Sequence, residues 1–192
     1  MPARNDMALD FLLTRRSRPA KTLDKTAPDS DTLTKLLTAA ARTPDHGKLE
    51  PFRFIIIRAD AQDRLAAAVA TGMTEAGEDP EKVEKQSRAM TYGGVIVTVV
   101  CSPKASEKIP AWEQHLAAGG ACLALLNAAL AAGWGANWLT GWASQSRSFM
   151  ATQLGLADQE FVAGFIHIGG ETVAPADRPR PDIAALTTTI DA

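Results

Sequence analysis

Apolar residues recur every three to four positions in several stretches of the chain, a spacing typical of helices that bury one face. These stretches predict six helices, three of them at 7–13, 80–90 and 110–132. The other three have a predicted N-terminal capping residue. One runs from Asp29 or Ser30 to about Ala40, one covers 61–76 with Asp60 as its cap, and one runs from Ser144 to Leu154. Runs of consecutive apolar residues at 52–57, 95–101 and 161–168 instead predict buried strands. The run at 95–101 is rich in β-branched residues, which indicates a sheet covered by helices on both faces.

Two segments show neither the apolar spacing of a helix nor a run of consecutive apolar residues. Residues 134–142 alternate glycine with bulky side chains, which fits either a strand packed in the core or a backbone that a ligand approaches closely. The tail after Val173 contains three prolines and two arginines, so we expect an extended, solvated arm that wraps around another surface, such as a second subunit. The 192 residues are predicted to form a single domain, with a core at 9–173 and the arm at 174–192.

Composition and charge narrow the class of protein. The chain is 46% hydrophobic and carries 20 basic and 22 acidic residues, so it offers no broad positive field for nucleic acid or an anionic membrane. The apolar stretch at 116–136 is mostly alanine and glycine, which favours a central buried helix over a membrane span. Cys101 and Cys122 lie in apolar runs, as expected for two buried thiols in a reducing cytosol. The acidic N-terminus does not look like an export signal, so we expect a cytoplasmic protein.

Catalytic signatures of hydrolases, zinc enzymes and P-loop proteins are missing from the sequence, and with three histidines a metal centre is not expected. Three clusters remain. Arg15, Arg16 and Ser17 could hold a phosphate monoester or be solvated surface charge. A rigid loop brings Arg42 close to His46, or simply connects a helix to a strand. The third cluster is the glycine- and tryptophan-rich segment 133–142.

Taken in order, these patterns resemble the nitroreductase family of flavin enzymes, and in particular its compact bacterial branch. The motifs that carry the resemblance are LLTRRS at 12–17, AAARTPDH at 39–46, EPFRF at 50–54, PAWEQ at 110–114 and the segment 133–141. The resemblance covers about 9–173. It implies an α+β fold in three layers, with a central mixed sheet between helices. It also implies a homodimer completed by an exchanged C-terminal strand, with FMN bound at the interface.

The resemblance also implies where the cofactor binds. Arg15, Arg16 and Ser17 would hold the FMN phosphate and the ring edge, and Arg42 and His46 would add polar contacts. Trp138, Leu139 and Thr140 would supply a segment contributed across the dimer interface. The chain departs from the family pattern at Glu50, Phe52 and Leu139, where Gln, Trp and Arg are usual. Leu139 can offer the cofactor only its backbone and apolar surface, so the polar side-chain contact that the resemblance implies there is not expected.

The implied reaction is a ping-pong hydride transfer through flavin N5, from NADH or NADPH to a nitroaromatic, quinone or related small-molecule acceptor. It needs no catalytic side chain, because the cofactor carries the chemistry. The lack of a large insertion at 73–90 leaves the acceptor open. Two alternatives remain at this point: a flavoprotein of the same fold with another acceptor or reaction, and a non-enzymatic dimer that binds a phosphorylated ligand.

Overall fold

The structure, a computed structural model, describes residues 3–190. The helices are α1 (Asp6–Thr14), α2 (Ser30–Ala40), α3 (Ala59–Glu75), α4 (Pro80–Ala89), α5 (Ala111–Ala131) and α6 (Arg147–Leu154). The strands are β1 (Phe52–Arg58), β2 (Val95–Cys101), β3 (Gly135–Leu139) and β4 (Phe161–Gly169). Short 3₁₀ turns lie at Ala20–Thr22, His46–Lys48 and Trp142–Ser144. Every predicted helix and strand is therefore present, and the segment 134–142 contains a strand.

The four strands form one sheet in the order β1-β2-β4-β3, and all three pairings are antiparallel. The α+β class is confirmed. The expected mixed sheet differs from this arrangement, because within the described chain no strands pair in parallel. A parallel pair would need a strand from another chain, and the exchanged C-terminal strand stays a prediction.

Helices cover both faces of the sheet, as the composition of β2 predicts. All seven residues of β2 are buried, because alternate side chains point into two separate cores. Val97 and Val99 pack with α2 and α5 on one face, whereas Ile96 and Val100 pack with α3 and α6 on the other. The result is three layers with the sheet in the middle.

Two of the predicted helix starts are wrong by a few residues. Asp60 does not cap α3, because the helix begins at Ala59 and Asp60 lies in its first turn. Ser144 is not the cap of α6, because it is the last residue of a 3₁₀ turn. The cap is Ser146, whose hydroxyl accepts a hydrogen bond from the amide of Phe149 at 3.2 Å. The prediction that Asp29 caps α2 is confirmed, since its carboxylate accepts a hydrogen bond from the amide of Thr32 at 2.7 Å.

The long helix α5 buries only one of its faces. Alanines and leucines such as Ala121, Leu125 and Ala129 pack against α2 and the sheet. The opposite face exposes Trp112, Leu116 and Leu123, which are 60%, 67% and 46% accessible. The expectation of a central buried helix therefore holds for one face of α5. By length and mean hydropathy alone this helix could span a membrane, but about 44% of its most apolar window is buried within the fold.

The N-terminal helix and the C-terminal arm lie on the outside of this core. None of the residues of α1 is buried, although Met7, Leu12 and Leu13 are apolar. The described part of the arm beyond Val173 contains no helix or strand, as expected from its prolines. The arm contacts the start of the chain, because the guanidinium of Arg16 donates to the carbonyl of Ala176 at 2.7 Å.

Candidate functional site

A cavity of about 500 Å³ lies between the end of α1 and the C-terminal arm. Arg15, Arg16 and Ser17 line one side of it, and Arg178 and Arg180 line the other. No carboxylate lines this cavity. Four arginines and a serine thus line one cavity from two segments that are far apart in the sequence, which makes it a candidate anion site even though Asp177 pairs with Arg16 and Arg180.

Arg15 is the least satisfied member of this cluster. One of its terminal nitrogens donates to the hydroxyl of Ser17 at 3.1 Å, but its Nε is buried and has no hydrogen-bond partner in the described chain. Burial lowers the pKa of the Arg15 guanidinium, and the nearby charges of Arg180, Arg16 and Arg18 lower it further. A bound anion beside the guanidinium would offset this electrostatic penalty.

Arg16 has a different environment. Its guanidinium is already bound to the arm, through the carbonyl of Ala176 and, at 3.4 Å, the carboxylate of Asp177. Asp177 also accepts from Arg180 at 3.1 Å. Arg16 therefore fixes the arm in place, and this positions Arg180 opposite Arg15.

A second cavity, of about 480 Å³, shares Arg15 and Ser17 with the first. Its other walls are Leu123 and Leu126 of α5, together with Trp138 and Thr140. Trp138 lies on the sheet because Gly164 leaves room for it: a Cβ on Gly164 would be 2.1 Å from the indole nitrogen. The indole N–H donates to the carbonyl of Ala163 at 3.3 Å, so the orientation of the ring is fixed.

A third cavity, of about 390 Å³, shares Thr140 with the second and lies between β3 and α4. Leu139 lines this cavity and not the one with Trp138, because successive strand residues face opposite sides of the sheet. The first two cavities share Arg15 and Ser17 and form one cleft, with its basic end at Arg15 and Arg180 and an apolar wall at Trp138. The third cavity lies on the other face of β3 and meets this cleft only at Thr140.

The backbone at the bend of the cleft needs a glycine. Gly141 has φ 149° and ψ −162°, a conformation that other residues rarely adopt. The side chain of Gln86 packs against it and accepts the amide of Trp142 at 3.3 Å. Ser144 adds two hydrogen bonds to the backbone of Gly141, at 2.8 and 3.1 Å. Thr140 is therefore presented to the cleft by a turn that is held from two sides.

The structure does not bring Arg42 and His46 into this cleft. Arg42 is exposed after α2, and His46 lines a separate groove of about 580 Å³ beside α5. The Nδ1 of His46 lies 2.7 Å from a carboxylate oxygen of Glu113. The groove also contains Leu116 and Gly120, so it opens onto the same exposed face of α5 as Leu123.

Trp138 and Thr140 share a cavity with Arg15 of their own chain. That they supply a segment contributed across the dimer interface stays a prediction. The sequence predicts that Arg178 and Arg180 keep the arm solvated, but the structure places both in the wall of the basic cavity. The signal was present as two arginines spaced by a single proline, but only the folded arm brings them to Arg15.

The chain is similar to known proteins over most of its length. Residues 12–170 match the sequence profile described as "Nitroreductase family". The chain is 33% identical over 162 residues to "Putative NAD(P)H nitroreductase YdjA" of Escherichia coli strain K12, covering 84% of this chain and 87% of the relative. A "Putative NAD(P)H nitroreductase" of Haemophilus influenzae is 32% identical over 164 residues, with the same coverage. The chain belongs to the nitroreductase family.

Solved structures agree on the fold. A nitroreductase-like family protein from Bacillus cereus superimposes with a TM-score of 0.83 at 22% identity, covering all of both chains. A nitroreductase from Desulfovibrio desulfuricans, described as a complex with FMN, gives a TM-score of 0.74 at 22% identity and covers 98% of this chain and 99% of its own. At these identities the similarity establishes the three-layer fold.

Proposed function

We propose that this protein is an FMN-dependent oxidoreductase that uses NADH or NADPH to reduce nitroaromatic, quinone or related acceptors. Family membership supports an oxidoreductase, and the relatives' names and the FMN complex support the cofactor. The observation that carries the proposal is the cavity that Arg15, Arg16, Ser17, Arg178 and Arg180 line together at the basic end of the cleft.

The residues of the basic end fit the phosphate of FMN. A phosphate monoester offers three acceptor oxygens and nearly two negative charges, which match guanidinium forks and a hydroxyl. Arg15 and Arg180 line the same cavity and are close enough to repel each other, and Ser17 is hydrogen bonded to Arg15 at 3.1 Å. Arg16 holds the arm that carries Arg178 and Arg180. The cradle is thus assembled only when the arm is docked.

The remainder of the cleft fits the flavin ring. Leu123, Leu126 and Trp138 offer a largely apolar wall, and Thr140 on its fixed turn offers polar groups at the bend. When bound, FMN would accept the electron pair of NADH or NADPH and then pass it to the acceptor in a second half-reaction. For a nitro group, two electrons and two protons give a nitroso group and water. The cleft is open to solvent, which can supply the protons, so the chain needs to bind and orient rather than act as nucleophile or acid.

We further propose that the protein works as a homodimer built around the exposed face of α5. Leu116 and Leu123 lie equidistant along the helix on either side of Gly119 and Gly120. The position of a Cβ on Gly119 has nothing within 4 Å, so a second helix could approach closely there. An antiparallel pairing about this point would bury Leu116 of one copy against Leu123 of the partner subunit, and exposed apolar faces of this kind mark such interfaces.

This arrangement gives Arg42 and His46 a role. The groove of His46 lies beside Leu116 and the cleft lies beside Leu123, so the twofold pairing would bring the groove of one copy next to the cleft of the other. The polar contacts expected from these two residues would then come from the partner subunit. The cytoplasmic location and the single domain stay predictions alongside this assembly.

The test is to titrate the purified protein with FMN and then add NADH or NADPH without oxygen. We expect a yellow complex whose visible absorbance is bleached by the reduced nucleotide and restored by a nitroaromatic or a quinone. Protein that stays colourless and shows no FMN binding by calorimetry would refute the proposal. A protein that binds inorganic phosphate but no flavin would instead be the non-enzymatic binding module.

A further inference from the structure

The segment 15–17 at the basic end of the cleft follows α1 and has no helix or strand of its own, so other elements must hold it in place. The next residue, Arg18, is tied to β3 through its backbone. Its amide donates to the carbonyl of Ala136 at 2.8 Å, and the side-chain amide of Asn137 donates to the carbonyl of Arg18 at 2.6 Å. The chain directly after the segment is thus fixed to the sheet by two hydrogen bonds.

The guanidinium of Arg18 adds two contacts to this backbone tie. Its Nη1 donates to the carbonyl of Arg16 at 2.9 Å, which acts on the segment 15–17 itself. Its Nε pairs with the carboxylate of Glu171, which lies shortly after the end of β4. The two side chains of this ion pair are only 25% and 31% exposed. Arg18 therefore connects the segment to two strands of the sheet.

We propose that Arg18 is a positioning residue for the groups that bind the phosphate of the cofactor. Asn137 and Glu171 hold Arg18 against the sheet, and the preceding segment then keeps one conformation. Arg15 and Ser17 are thereby ordered before the anion arrives, which lowers the entropic cost of binding. The proposal rests on the proposed function and deepens it, because it names what fixes the basic end of the cleft.

The ion pair with Glu171 allows positioning to be separated from attraction by charge. If Arg18 acted on the anion through its charge alone, Arg18→Gln would weaken FMN, whereas Glu171→Gln would strengthen it by removing a nearby negative charge. Positioning predicts that both changes weaken FMN, because each of them breaks the ion pair. Asn137→Ala alters no charge, so attraction predicts no effect on FMN and positioning predicts weaker binding.

The experiment measures the dissociation constants of FMN and riboflavin for these three variants. We expect each variant to weaken FMN by about 2- to 12-fold, the range for one lost hydrogen bond, and riboflavin less, because riboflavin has no phosphate. The matched control is Arg64→Gln, which removes an arginine that donates to Gln153 at 2.7 Å and should leave both flavins unchanged. Tighter FMN binding by Glu171→Gln, or unchanged FMN binding by Asn137→Ala, would overturn the proposal. Equal loss of both flavins would also overturn it, because Arg18 would then act on folding.

Inorganic phosphate separates this proposal from the proposed function. Phosphate added without flavin should raise the thermal midpoint of the wild-type protein, and should raise that of Arg18→Gln and Asn137→Ala less at the same concentration. If the protein binds phosphate but no FMN, the proposed function is wrong, and the phosphate response of the variants still decides the role of Arg18. If the wild type binds FMN and all three variants match it, the positioning role alone is wrong. If neither FMN nor phosphate binds, both proposals are wrong.

Discussion

Arg15 and Arg180 allow a sharp test, because the structure separates their contributions. Arg180 lines only the basic end of the cleft, whereas Arg15 lines both the basic end and the cavity with Trp138. Riboflavin has the ring of FMN but no phosphate. We therefore expect Arg180→Gln to weaken FMN and leave riboflavin unchanged. Arg15→Gln should weaken FMN strongly and riboflavin to a smaller extent.

The size of the effect follows from the type of contact. A hydrogen bond to a charged group contributes about 1.5 to 3 kcal/mol, so loss of one arginine should weaken FMN roughly 10- to 150-fold. Arg16→Gln should also weaken FMN, because Arg16 holds the arm through Ala176. The assay is fluorescence or calorimetric titration of each variant with both flavins. Arg58→Gln, an exposed arginine at the end of β1, is the matched control for loss of one charge.

The ratio of the two dissociation constants decides the outcome. If Arg180→Gln weakens FMN and riboflavin equally, the residue acts on the ring or on folding and the assignment of the basic end is wrong. If neither ligand is affected by Arg15→Gln or Arg180→Gln, the phosphate binds elsewhere.

Three other predictions concern assembly, acid stability and thiol reactivity. Gly119→Leu should leave the fold of each chain intact, because a Cβ on Gly119 has no atom within 4 Å. It should instead block the close approach of the second helix, so that sedimentation at micromolar concentration shows a monomer. A variant that remains dimeric would contradict the proposed helix crossing. The bidentate pair with Arg53 lowers the pKa of Glu160 to about 2, so its stabilising contribution is complete above about pH 4.5 and is lost as the pH falls toward 2. Urea unfolding of Glu160→Gln should show a free energy of unfolding about 1.5–3 kcal/mol lower than that of the wild type at pH 7. Between about pH 4.5 and 2 the free energy of unfolding of the variant should depend less on pH than that of the wild type. If the two curves run parallel there, another group causes the acid sensitivity. Burial raises the pKa of Cys101 to about 11 and of Cys122 to about 12, so neither thiol should react with a disulfide reagent at pH 8 until the protein is unfolded; rapid reaction of the native protein would refute this burial.

The sequence by itself determined most of the secondary structure and the position of the sheet between two layers of helices. The β-branched run at 95–101 has no polar face, so the strand could be placed only inside a sheet covered on both sides. The spacing of leucines in α2 fixed its buried face, and Asp29 fixed its start through one hydrogen bond. These features are local, since each depends on residues a few positions apart. The cluster Arg15 to Ser17 was found for the same reason, because its members are adjacent.

Tertiary structure alone decided which distant residues share the site. Arg178 and Arg180 lie more than a hundred residues from Arg15, and no local period reports that a proline-rich arm folds back onto α1. The separation of Leu139 from Trp138 depends on which face of β3 meets α4. The exposed face of α5 also could not be predicted from composition. The sequence of a helix that is apolar on all sides does not show whether one face or both faces pack against other elements. Local patterns determine which elements form, but only packing determines which of their surfaces meet.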